Sequence, residues 1–291
     1  MKRFMRRLAV RLYVVTRRWL YRCRQTIGQP VTFHVAESIR IKLFPEGQIA
    51  ELLYTSRFER RDLELVSRFL RPGMRVIDVG ANIGLYTILA DRCVSPDGRV
   101  WAFEPSGESR ARLHRNLGLN GVTTVHTIGA ALSDKAGGEL ALARDAGRGD
   151  GERFLVDGRA GLHAVGESDV ELVPVTTLDD HFFAPDKDLE RIDFMKIDIE
   201  GGELAVFRGA RRLLTINRDL VIMFESTPAN SERYGYRQEE LFEFLRGLGY
   251  RLFFWDREAA DWAADEGRLK QAGNIWATRE QVFLPRWEKA A

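Results

Sequence analysis

Along the chain, short apolar runs alternate with stretches whose apolar residues recur every three or four positions, a rhythm of strands and helices. Arg75–Val79, Arg99–Phe103, Val122–Ile128, Ile192–Ile197 and Leu220–Phe224 read as strands. Helical spacing appears at Arg60–Leu70, at about Gly84–Cys93, and at Ser106–Asn120, Glu203–Leu214 and Gln238–Leu248. Strand patterns at Arg251–Trp255 and Asn274–Ala277 finish the series. Alternating strand–helix units predict an α/β, Rossmann-like fold, a seven-strand mostly parallel sheet with helices on both faces. Ahead of it, Val31–Ala36 and Ser38–Leu43 suggest a small N-terminal sheet. Residues 137–169, rich in Gly, Asp and Arg, carry weak strand patterns at Glu139–Ala143 and Glu171–Val175. They predict an inserted hairpin region with a mobile loop around Gly147–Gly151. The expected division is an extension at 1–30, a strand region at 31–57, a main domain at 58–280 and a tail at 281–291.

Composition changes this picture at the N-terminus. The chain of 291 residues, 45% hydrophobic and 10% aromatic, is long enough to bury a sizeable core. Its net charge is +2, yet residues 1–30 hold nine Lys or Arg and no acid, which leaves −7 for the rest. An acidic body argues against a nucleic-acid partner, since phosphate contact needs basic patches. In the extension Phe4, Leu8, Leu12, Val15 and Trp19 share a helical stripe among Arg7, Arg11 and Arg18. The apolar run is too short to span a bilayer and precedes no small-residue cleavage site, so neither a membrane span nor a secretory signal is expected. Three readings stay open. Residues 1–25 lie on an anionic membrane surface, where each basic residue contributes roughly 1 kcal/mol, or the helix docks on the body, or the segment is a solvated tail. Cys23 and Cys93 are the only cysteines, which fits a reducing, cytoplasmic location, with peripheral attachment to the inner membrane face as the added expectation.

Candidate chemistry begins where the first core strand ends, at Asp78-Val-Gly80-Ala-Asn82-Ile-Gly84. In open α/β sheets ligands sit outside the carboxyl ends of the strands, where strand order reverses. Gly80 permits a tight turn, Gly84 a close helix start, and Asp78 a carboxylate that can order the loop and face an ammonium group. A dinucleotide site needs Gly-x-Gly-x-x-Gly. Here Asn82 replaces the second glycine and Leu85 the third, which obstructs a pyrophosphate but not the amino-acid part of S-adenosylmethionine. Glu104, ending Trp101-Ala-Phe-Glu104-Pro105, lies roughly 20 residues on, where a ribose diol is expected.

With these motifs, the chain resembles the FkbM family of class I methyltransferases. The resemblance rests on Val76–Ala90, Phe103-Glu104-Pro105, Ala131-Leu132-Ser133-Asp134 with Gly137, Thr177–Asp180, Asp193–Leu204 with Gly209-Ala210, Phe58-Glu59 and Phe224-Glu225. It implies S-adenosylmethionine as cofactor, held by Asp78, Gly80, Asn82, Gly84, Glu104 and Ser133, and methylation of oxygen on sugars or natural products. The insertion at 144–169 and the basic extension are less typical of the family.

On the acceptor side, an extended strand would put Lys196, Asp198 and Glu200 on one face. A crowded carboxylate pair suits general-base work, with Lys196 neutralising one member and Glu225 completing the cluster from the next strand. Glu200 or Glu203 could instead cap the following helix. Oxygen ligands on Asp198 and Glu225 would suit Mg²⁺, but spacing alone does not make a metal site and none is expected. His34 and His126 read as packed strand residues, His163 and His181 could reach an acceptor, and Tyr234 and Tyr236 could stack on a sugar face or serve in the core or a lid. The expected function is O-methylation of a saccharide, glycolipid or secondary-metabolite hydroxyl. The alternatives are a non-catalytic membrane-associated protein with this fold and an NAD-dependent oxidoreductase.

Overall fold

The computed structural model describes residues 2–26, 30–35, 39–44, 53–54, 60–144, 153–156, 170–184, 191–256, 258–271 and 273–279. The pair Phe58-Glu59, the loop around Gly147–Gly151, His163 and the tail at 281–291 fall outside them.

At the N-terminus, helix α1 (Lys2–Thr26) leads into the antiparallel pair β1 (Val31–Val35) and β2 (Ile39–Leu43). Helix α2 (Arg60–Phe69) is followed by β3 (Arg75–Val79), α3 (Leu85–Val94), β4 (Arg99–Phe103), α4 (Gly107–Leu119) and β5 (Val125–Ile128). After the insertion come β10 (Phe194–Ile197), α6 (Glu203–Arg208), α7 (Arg211–Ile216) and β11 (Val221–Glu225). Then follow α8 (Pro228–Arg233), α9 (Gln238–Gly247), β12 (Arg251–Asp256), β13 (Asp261–Ala263), α10 (Glu266–Leu269) and β14 (Asn274–Thr278).

One sheet has the order β13-β12-β14-β11-β10-β3-β4-β5. Its strands from β11 to β5 are parallel, while β14 is antiparallel to both β11 and β12. It has eight strands where seven were expected. The addition is β13, which extends the edge by pairing with β12 and places Trp262 beside Trp255 and Trp276. The parallel strands are apolar almost throughout because both faces are covered. On β3, Val76 enters one core and Ile77 the other. Strand order reverses between β3 and β10, so the crevice opens there.

The insertion builds more than a hairpin. Strands β7 (Glu139–Arg144), β8 (Arg153–Val156) and β9 (Val170–Thr176) pair antiparallel, and β6 (Ala131–Leu132) joins β9 in parallel, making a second sheet of order β6-β9-β7-β8. A single helix expected over Glu203–Leu214 is broken in two. At Gly209 a side chain would collide with the Ser133 carbonyl. The carboxylate of Asp179, at the start of α5 (Leu178–Phe182), accepts hydrogen bonds from the Arg212 and Leu213 amides, both at 2.8 Å, and so caps a new helix. His34 and His126 are exposed, against the packed reading, because β1–β2 turns one face to solvent and β5 is an edge strand. His126 stacks flat on Trp101.

Candidate active site

The turn after β3 takes left-handed backbone at every second residue, with φ of 79° at Gly80, 48° at Asn82 and 93° at Gly84. Asn is among the few side chains that tolerate this region, which gives Asn82 a conformational reason beside the steric one. At Gly80 a Cβ would run into the Asp198 carbonyl, so glycine lets the turn pass against the end of β10. The turn is fastened to β4 by its main chain: Gly80 and Ala81 both donate to the Phe103 carbonyl at 3.0 Å.

Glu104 completes that fastening. One carboxylate oxygen accepts the Asn82 amide at 2.8 Å and the other the Ser106 amide at 2.9 Å, in a setting that leaves Glu104 only 7% exposed. A carboxylate is acceptor-only and can take more than one donor on each oxygen, the capacity that a ribose diol would use. Arg110, on α4, donates to the Glu104 and Pro105 carbonyls. From the second sheet, Glu171 on β9 accepts the Gly107 amide at 2.8 Å, bringing the insertion against the start of α4.

Asp78 and Lys196 are register partners on adjacent strands, and both side chains are buried. Thr87 donates to one Asp78 oxygen at 2.6 Å. The other oxygen has no hydrogen-bond partner and lies 4.0 Å from the Lys196 ammonium. Burial pushes the Asp78 carboxyl above its ordinary range, with Lys196 pulling the other way. A buried carboxylate oxygen with unused acceptor capacity fits an incoming ammonium group, as on the methionyl end of S-adenosylmethionine. Lys196 bridges the two sides of the crevice. Its Nζ is 3.1 Å from Asp198 Oδ2 and 4.7 Å from the centre of the Tyr86 ring.

Beyond Lys196 the other side of the crevice is carboxylate-rich. One oxygen each of Asp198, Glu200 and Glu225 lie within 4.8 Å of one another, all three residues half-buried. The shared face expected from an extended strand is replaced by a turn: β10 ends at Ile197, and Glu200 is left-handed at φ 60°. Asn230 holds Glu200 in place, its amide donating to Oε2 at 3.0 Å. Glu203 lies behind the turn, 2% exposed, and accepts the Ile199 and Gly201 amides at 3.2 Å. Burial raises its carboxyl to about 7. Tyr236 donates to the Gly201 carbonyl at 2.8 Å, and the Tyr234 hydroxyl accepts the Leu155 amide of β8 at 2.8 Å. Burial raises both phenols. The tyrosine pair therefore buttresses the acidic turn and ties the insertion to it.

Of the residues expected from sequence, Asp78, Gly80, Asn82, Gly84 and Glu104 form one side of the crevice, and Lys196, Asp198, Glu200 and Glu225 the other. The contacts of Ser133 lie in the second sheet. Its amide donates to the Thr176 carbonyl and its hydroxyl is 3.4 Å from Asp134, in the second sheet against Gly209. It is drawn there by the β6–β9 pairing. His181 packs edge-on against Phe103. Thr87, Tyr86 and Asn230 were missed. Thr87 and Tyr86 open the helix after the glycine turn, a position that could have flagged them, whereas nothing in sequence pairs Asn230 with Glu200.

A left-handed glycine turn at the switch point, an acid clamping it from the next strand and a carboxylate cluster facing both define a class I, S-adenosylmethionine-dependent methyltransferase. The chain belongs to the FkbM methyltransferase family, whose model, the methyltransferase FkbM domain, matches residues 78–252. It is 29% identical over 260 residues to methyltransferase sdnD of Sordaria araneosa, covering 81% of this chain and 94% of that protein. It is 28% identical over 147 residues to methyltransferase 1 of Beauveria bassiana, covering 46% of this chain and 57% of the relative. Among solved structures, precorrin-6y C5,15-methyltransferase from Geobacter metallireducens aligns with a TM-score of 0.42 at 16% identity, over 76% of this chain and 88% of that one. Family membership removes the NAD-dependent alternative.

Proposed function

We propose that the protein transfers the methyl group of S-adenosylmethionine to a hydroxyl of a saccharide, glycolipid or secondary metabolite, at the cytoplasmic face of a membrane met through residues 1–25. The observation that carries the chemistry is the convergence of Asp198, Glu200 and Glu225 next to Lys196 and across from the Asp78–Gly84 turn. The sulfonium cofactor supplies an already activated methyl group when bound. Asp78 would hold its ammonium group and Glu104 its ribose, with Gly80, Asn82 and Gly84 shaping the bed between them.

An acceptor hydroxyl is a weak nucleophile, so it must be oriented and lose its proton. Asp198 is the base in this reading. Lys196 engages Oδ2, which leaves Oδ1 to take the proton. Glu200, set by Asn230, and Glu225 accept neighbouring hydroxyls and so orient a polyhydroxyl acceptor. Asp198, Glu200 and Glu225 also offer the oxygen donors that a hard divalent cation takes, and the reading assigns them to proton transfer and hydroxyl binding instead. Dialysis against EDTA should leave the rate unchanged. The test is incubation of host extracts with methyl-labelled cofactor. The reading expects label in a small polyhydroxyl or glycolipid product, stable to alkali as an ether. Alkali-labile label or label on protein would contradict it.

A further inference from the structure

Helix α1 presents two unlike faces. At 100° per residue, Leu12, Val15 and Trp19 fall on one stripe and Val14, Arg17 and Tyr21 on a stripe nearly opposite. The second stripe meets the body. Tyr21 is 2% exposed and packs on the Tyr54 ring at 5.6 Å, and the Arg17 guanidinium lies 4.5 Å over Tyr54 and 5.4 Å over Phe33. The first stripe is turned to solvent: Leu12 is 69% exposed, Val15 63% and Trp19 63%. Exposed Arg18 and Arg22 lie beside it on the helix.

We propose that α1 is a two-sided fastener. Leu12, Val15 and Trp19 enter the headgroup–acyl boundary of an anionic bilayer while Arg17 and Tyr21 hold the helix to the catalytic body. This deepens the membrane part of the proposed function and does not depend on its acceptor chemistry. Docking on the body and lying on a membrane, two of the readings left open by the sequence, use different faces and are compatible. Three large apolar side chains in one exposed row mark an interaction surface, and tryptophan favours the membrane–water boundary. Charge selects the occupant. With nine basic residues and no acid among residues 1–30, an anionic lipid surface complements the helix, whereas a second copy of the same stripe would repel it. Nucleic acid would match the charge but gives Leu12 and Val15 no apolar partner. No helix among the described residues is long and apolar enough to cross a membrane, so the attachment is to one leaflet.

The test is co-sedimentation of the full chain with phosphatidylcholine vesicles, with and without phosphatidylserine. Binding should require phosphatidylserine. A Leu12→Ser, Val15→Ser, Trp19→Ser variant should bind at least about tenfold more weakly while its S-adenosylmethionine affinity stays that of the parent. Trp19→Phe preserves the helix and guards against a misfolded triple variant. It should still bind but lose much of the fluorescence quenching that brominated lipids cause in the parent. Equal binding to neutral vesicles, undiminished binding by a folded triple variant, quenching unchanged in Trp19→Phe, or a preference for duplex DNA over vesicles would each overturn the proposal. Absence of labelled methyl product would contradict the acceptor chemistry and leave these results unaltered.

Discussion

The two sides of the crevice are built by different means. On the donor side, main-chain amides do the holding: Gly80 and Ala81 bond to Phe103, and Asn82 and Ser106 bond to Glu104. On the acceptor side, side chains gathered from β10, β11 and the α8 region hold one another, as Lys196 does Asp198 and Asn230 does Glu200. A site made of backbone demands glycines and left-handed residues at fixed spacing and recognises one invariant cofactor. A site made of side chains can be rebuilt for different acceptors without disturbing the first.

The sharpest way to break this division is to remove the proposed base. Asp198→Asn should reduce methyl transfer by about 10²–10⁴-fold in single-turnover assays, yet leave S-adenosylmethionine affinity within a few-fold of the parent. A comparable loss of both would merge the two sides. Gly80→Ala attacks a place where they touch, because its methyl group would meet the Asp198 carbonyl at a positive φ. Cofactor affinity and melting temperature should fall together, affinity by roughly tenfold, from a strained turn costing about 1–2 kcal/mol. A normal Kd in a calorimetric titration would show that the turn has slack.

A smaller effect belongs to Glu203, which supports the acidic turn from behind. Its carboxyl is raised from 4.5 to about 7 by burial, so in that window the folded state holds a proton that the unfolded chain releases. This contribution to stability is full below about pH 4.5 and is lost as pH rises through 7. Glu203→Gln keeps an oxygen for the Ile199 and Gly201 amides but cannot ionise. Between pH 5 and 8 the parent's melting temperature should fall by about 5 °C more than the variant's. Parallel melting curves would mean that Glu203 ionises as easily as an exposed glutamate.

Much of this was legible in sequence, for identifiable reasons. The strands around the crevice are short apolar runs closed by turn residues, and β3, β4, β10 and β11 appear within a residue or two of where those runs stand. The donor turn is local: a seven-residue segment carries its own conformation, and Glu104 follows at the distance the fold imposes. The acceptor side was legible only as a list of acids. Glu200 turns left-handed just before Gly201, where Tyr234 and the Asn230 carbonyl, both from a later segment, leave no room for a side chain. The bond from the Leu155 amide to the Tyr234 hydroxyl joins segments far apart in the chain and has no sequence signature. The contacts of Ser133 were illegible for the same reason, since the β6–β9 pairing that positions it is non-local. The break at Gly209 likewise depends on Asp179, from a different helix.

The central claim is that the Asp78–Gly84 turn and Glu104 hold S-adenosylmethionine. Calorimetric titration of the cofactor into the parent and into Glu104→Ala tests it most directly. One site should appear in the parent, tighter for S-adenosylmethionine than for NAD. The variant should lose affinity by on the order of 10²-fold, as two charge-assisted bonds to the Asn82 and Ser106 amides and the ribose contact go together. An unchanged Kd in Glu104→Ala, or tighter binding of NAD by the parent, would contradict the account.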